Sequence, residues 1–226
     1  MNRLLPLSLA LAAAGVAPLG AQQAIADRLA GRVPPELAAL VQQLGAAAAA
    51  RGLPVDPLVQ KAIEGSAKGV PADRVATAVR LVAEQLDTAA AALREGGWKG
   101  SDTVAIAAGG FALTAGLNGR HIAELARASV PRSGEGLIVA LRVAGTLAAL
   151  GVPPAETVAL VGATLRAGRP VADLLALPGQ VQAQMGRGVT PAQAAAGLAR
   201  AAAAQARGGP PPRPAPPPHP PTPPRP

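Results

Sequence analysis

His121 and Glu124 stand three residues apart in "NGRHIAELA", at the start of an apolar helical run. That spacing puts both side chains on one face of a helix. An imidazole oriented by a carboxylate is a general-base pair, and such a pair needs a nucleophile to act on. The serines on offer, Ser101, Ser129 and Ser133, all fall where helices are expected to begin or end. The pair therefore reads as a polar helix start. The chain has no cysteine, which excludes thiolate catalysis, disulfides and cysteine-based zinc sites. A zinc centre needs three or more ligands, and one core histidine with scattered acids does not supply them. Glu84 and Asp87 read as a solvated face, and Lys61, Glu64 and Lys68 as surface ion pairs at helical spacing. "SGEGL" lacks the lysine of a phosphate loop, and no strand and third glycine make a dinucleotide fingerprint. The expectation is a non-enzyme with no catalytic residues, no metal and no cofactor.

Three features remain as candidates for partner binding besides His121. Trp98, in "GGWKGSD", is the one tryptophan and lies in a glycine-rich stretch between helices. Tryptophan is enriched at binding hot spots. Gly109 and Gly110 interrupt the apolar segment "TVAIAAGGFALTAGL". Glycine inside a helix costs about 1 kcal/mol relative to alanine. Its compensation is close approach of another helix or a notch that faces a ligand.

The elements that must position these residues are helices. Half the residues are nominally hydrophobic, and half of those are alanine, with one Phe, one Trp and no Tyr. Alanine is the best helix former, and the β-branched and aromatic runs of strands are missing. Small side chains gain from burial only when helices come close together. Glycines at 52, 69, 116, 151, 168 and 188 recur with a breaker soon after, as in "KGVPADRVATAV" and "LGVPPAETVALV". Glycine ends one helix in a left-handed conformation, the next apolar residue tucks back, and proline opens the following helix. Asp73, Glu156 and Gln193, third in "PADRV", "PAETV" and "PAQAA", are placed to take up free N–H groups of the first turn.

The spacing predicts helices over 56–68, 71–95, 102–115 capped by Ser101, 134–150 capped by Ser133, and 154–167. Short helices follow Pro170 and Pro178, and a last one starts in the capping box Thr190–Gln193. The fold class is all-α, with short helices stacked as helical hairpins, either α-solenoid-like or a compact orthogonal bundle.

The two ends differ from this middle. Residues 1–21 have the parts of a secretory signal: Arg3, an apolar run from Leu4 to Val16, then Pro18 and Gly20 as helix breakers before Ala21, after which cleavage is expected. Residues 22–206 form the helical domain. Residues 207–226, with twelve prolines, form a proline-rich tail of disordered or polyproline II character. Neither of the two most apolar internal segments is expected to span a membrane, one being short and the other carrying Arg142 at its centre.

The net charge is +8, of which the first segment and the tail hold half. The rest is scattered rather than clustered as in a nucleic-acid reader. The expected role is a secreted or periplasmic protein-interaction or structural scaffold with an unknown protein partner. The alternative is binding of an anionic envelope polymer or membrane surface through the scattered Arg and Lys and the basic tail. An enzyme of unfamiliar helical type would require a deep pocket joining His121 to acids distant in sequence.

Overall fold

The computed structural model describes residues 19–100, 102–129 and 134–208. They form ten α-helices and no strand: α1 (Leu19–Leu29), α2 (Pro35–Ala50), α3 (Asp56–Ala67), α4 (Ala72–Glu95), α5 (Thr103–Thr114), α6 (Gly119–Ser129), α7 (Gly134–Ala149), α8 (Pro154–Arg166), α9 (Val171–Met185) and α10 (Pro191–Gly208). The all-α class is therefore the observed one. The proline-rich tail from residue 209 onward, the signal segment up to Pro18, Ser101 and Ser133 lie outside the described residues.

The recurring glycines act as helix stops. All six named above have positive φ, between +67° at Gly69 and +108° at Gly116, as do Gly31 and Gly97. After most of them the next residue donates its N–H five residues back: Leu53 to Ala48, Val70 to Gly65, Leu117 to Ala112, Val152 to Leu147. This is the six-to-one bond of a Schellman ending. Leu53, Leu117 and Val152 then bury their side chains, whereas Val70 stays 38 % exposed.

The start signals behave less uniformly. At α10 the Thr190 N–H donates to Gln193 Oε1 and the Gln193 N–H donates to Thr190 Oγ1, both at 3.3 Å, closing the capping box. Asp73 and Glu156 stand in the first turns of α4 and α8 without such a bond. The reason is chemical. The residues before these helices, Pro71 and Pro153, have no N–H for an acid to reach back to. The cap of α5 is Asp102 rather than Ser101, its carboxylate accepting from Val104 N at 2.8 Å.

Two boundaries differ from expectation. No break separates helices at Pro178: α9 runs through it as one helix. Leu174, Leu177 and Val181 are buried on one face before and after the proline, so packing outweighs one missing backbone bond. Gly20 does not break the chain either, since α1 begins at Leu19 and crosses Gly20 and Ala21. A single glycine weakens a helix by only about 1 kcal/mol.

Packing follows chain order. Each helix touches its successor, and nearly every helix touches the next but one. The even helices α2, α4, α6, α8 and α10 form one layer in sequence, and α1, α3, α5, α7 and α9 form the other. No helix packs extensively against one three or more places away, which is the quasi-one-dimensional pattern of a solenoid-like stack. Alanines fill the seam, with Ala62, Ala89, Ala105, Ala112, Ala123, Ala126, Ala140 and Ala144 fully buried among Leu and Val side chains.

A single step of this ladder is missing. α3 and α5, consecutive in the odd layer, do not pack on one another. α4 has 24 residues, and α3 and α5 have 12 each. At 1.5 Å per residue α4 is about 36 Å long, twice either neighbour. α3 lies along its first half, where Gly65 faces Val75; α5 lies along its second half, where Gly109 faces Ala89. The middle of α4 is left uncovered between them.

Candidate functional site

The uncovered middle of α4 is the floor of a groove of about 520 Å³. This falls within the roughly 300–1,000 Å³ of ligand clefts. The walls are single faces of helices at i, i+3, i+4 and i+7 spacing. α3 presents Pro57, Gln60, Lys61 and Glu64; α5 presents Ala107, Gly110, Phe111 and Thr114. Val82, Gln85 and Leu86 of α4 lie between, and Arg142 and Thr146 of α7 close the far side. The ring of Phe111 is 46 % exposed there. Thr114 Oγ1 donates to Gln85 Oε1 at 2.7 Å, tying the end of α5 to the floor.

The charges of this groove are unbalanced. Lys61 and Arg142 form no ion pair among the described residues. Glu64, the one acid lining the groove, is bonded to Lys68 one turn on. That bond, then the charge of Lys68 and that of Lys61, hold the Glu64 carboxyl below its ordinary range. The groove thus offers an apolar floor flanked by two cations that form no direct ion pair among the described residues, Lys61 acting on Glu64 through its charge alone.

Of the candidate partner-binding residues Trp98, Gly109, Gly110 and His121, only Gly110 lines this groove. Gly109 and Gly110 are buried and let α5 close on α4: a Cβ at either would meet Ala89 Cβ or Leu86 Cδ2 at 3.0 Å. Close helix approach is the role their surroundings give them. Trp98 is half-buried against the edge of the core, its backbone N–H on Leu93 O. Its indole lies over Gly100 and Gly134, so close that a Cβ at Gly134 would sit 2.9 Å from Cη2. Its Nε1 has no hydrogen-bond partner among the described residues.

His121 borders a different depression, of about 280 Å³, with Arg120, Glu124, Asn118 and α8 residues Ala155, Val158 and Ala159. Among the described residues no acid from a distant part of the sequence lines it. The His121 N–H donates to Asn118 Oδ1 at 3.0 Å, and Asn118 N–H donates to His121 Nδ1 at 3.3 Å. His121 thus serves as the reciprocal partner in a capping box for α6. Among the described residues no three His, Asp or Glu side chains gather as metal ligands.

Sequence reasoning missed Lys61, Phe111 and Arg142 as members of one site. Two signals marked it: the lone phenylalanine, and an arginine in the centre of the apolar run Leu137–Ala149 of α7. Comparison of the chain with protein-family models, curated proteins and solved structures finds no match.

Proposed function

We propose that this protein is an exported, non-catalytic binding scaffold, a stack of helices that presents a surface to a protein partner. The observation that supports this reading most is the groove over the middle of α4, where the odd layer lacks one contact. Where α3 and α5 fail to meet, the stack leaves an apolar groove with the Phe111 ring, Lys61 and Arg142 accessible along its edges. Its polar groups are amides, hydroxyls, Lys61, Arg142 and a Glu64 already bonded to Lys68, a set suited to recognition rather than to covalent chemistry. Export rests on the sequence alone: Arg3, the apolar run to Val16 and the small Ala21.

The test is a crosslinking pull-down from the native envelope fraction. Four proteins are compared: the intact chain, one lacking 207–226, Trp98→Ala and Phe111→Ala. The scaffold reading predicts a discrete partner with the intact chain that is lost in at least one variant. A partner set that disappears in high salt for every protein favours the anionic-surface alternative, since screened exposed charges then account for all binding. No discrete partner with any of them overturns the scaffold reading.

A further inference from the structure

Resting on the scaffold reading, we infer that the groove between α3 and α5 receives an α-helix of a partner protein, one whose apolar stripe is flanked by acidic side chains. Three observations carry this. First, the site is the vacant step of a helical layer. Elsewhere in that layer α5 packs on α7 and α7 on α9. Helices pack by setting side-chain ridges into grooves. Second, its walls are themselves helix faces. Pro57, Gln60, Lys61 and Glu64 on one side, and Ala107, Gly110, Phe111 and Thr114 on the other, are the repeating ridges that an incoming helix engages. The floor between them is apolar: Val82 is half-buried over the fully buried Leu86, and with the exposed Phe111 ring it gives a surface for a stripe of leucine-sized anchors.

Third, the charges select the occupant. Lys61 and Arg142 make no direct ion pair among the described residues, and Glu64, the acid that Lys61 acts on, is already bonded to Lys68. Cations at the edge of an apolar groove steer and orient a partner carrying acids beside its anchors. The chain's own segments beyond the described helices do not meet this requirement. Residues 1–18 carry Arg3, and residues 209–226 carry Arg213 and Arg225, with no acid in either. These two segments therefore lack the acids that the groove's cations call for.

The experiment uses the full chain without its first 21 residues and a fluorescein-labelled synthetic helix of four turns. The helix carries leucines at i, i+3, i+4 and i+7, with glutamates beside them. A second peptide carries lysine at every glutamate position. Anisotropy titrations are run at low and high salt on the wild type, on Lys61→Gln/Arg142→Gln and on Ala107→Trp, which fills the groove. Circular dichroism and Tm confirm that both variants are folded.

The inference predicts saturable binding of the acidic helix, weakened by salt and about tenfold or more by the double substitution, and lost in Ala107→Trp. The lysine helix does not bind. Equal binding of both peptides, unchanged affinity in the folded variants, or no binding at all overturns it. So does sodium laurate, below its micelle concentration, saturating the groove when the acidic helix does not, which would identify a small anionic amphiphile instead. A dimer of the wild type that Ala107→Trp abolishes also overturns it, in favour of a second copy. An envelope partner still captured by Ala107→Trp would leave the scaffold reading standing while removing this site from it.

Discussion

A methyl group added to Gly96, at the end of α4, would collide with Ala126 Cβ and lie 2.7 Å from the Ala123 carbonyl oxygen. The second contact is with backbone and does not yield by a rotamer change. Gly96→Ala is therefore expected to lower stability by about 1–3 kcal/mol. Gly197, inside α10, has nothing within 4 Å of its Cβ position. Gly197→Ala should raise stability by up to about 1 kcal/mol through helix propensity alone. Urea denaturation of the two variants checks the opposite signs. If both shift the midpoint the same way, the close approach of α4 and α6 is wrong.

Glu64 gives a second test at this scale. Its pKa is depressed in the folded chain, first by the hydrogen bond from Lys68 and then by the charges of Lys68 and Lys61. A depressed acid contributes stability above its unfolded-state pKa and loses it as pH falls through its folded pKa. Lys68→Met should return the Glu64 carboxyl toward the ordinary value in an NMR titration. Any stability difference from wild type should vanish in acid. An unmoved titration would show that the pair does not form in solution.

Helices are decided by more than their own residues, and α9 is the clearest case. Pro178 removes the N–H that would bond the Leu174 carbonyl, yet the helix continues because Leu174, Leu177 and Val181 are buried beside α7 and α10. Pro178→Ala restores that bond and should raise stability by about 1–3 kcal/mol, read as a higher Tm. A lower Tm would mean that the proline ring itself holds the packing.

The same element shows what sequence could and could not tell. The glycine stops at 52, 69, 116, 151, 168 and 188 were legible because positive φ is a steric demand met at one residue. The fate of Pro178 was not, since it turns on burial against helices distant in the chain. Asp102 in place of Ser101 as the cap of α5 is a one-residue choice between two good capping residues. Asp73 and Glu156 lack their expected bonds because Pro71 and Pro153 withhold the N–H.

At the scale of the molecule, alternation of short helices makes a two-layer stack, and one helix of double length spoils its regularity. The 24 residues of α4 carry α3 and α5 one after the other, so the odd layer opens over the middle of α4. All-α stacking was legible from alanine content and punctuation. The groove was not, because it depends on two helices failing to meet and gathers residues from 57 to 146. Arg142 and Phe111 were visible as exceptions to their surroundings, but nothing local joined them to Lys61.

Binding in this groove is what sets the molecule apart from a plain stack of helices. Methyl-labelled alanine, leucine and valine NMR spectra, recorded while the acidic amphipathic helix is added, test it most directly. The account predicts shifts concentrated at Val82, Leu86, Ala107 and Ala108, with Leu81 and Leu175, exposed elsewhere on the surface, unmoved. Shifts centred on Leu175 or on α8 beside His121, or no shifts at all, would contradict it.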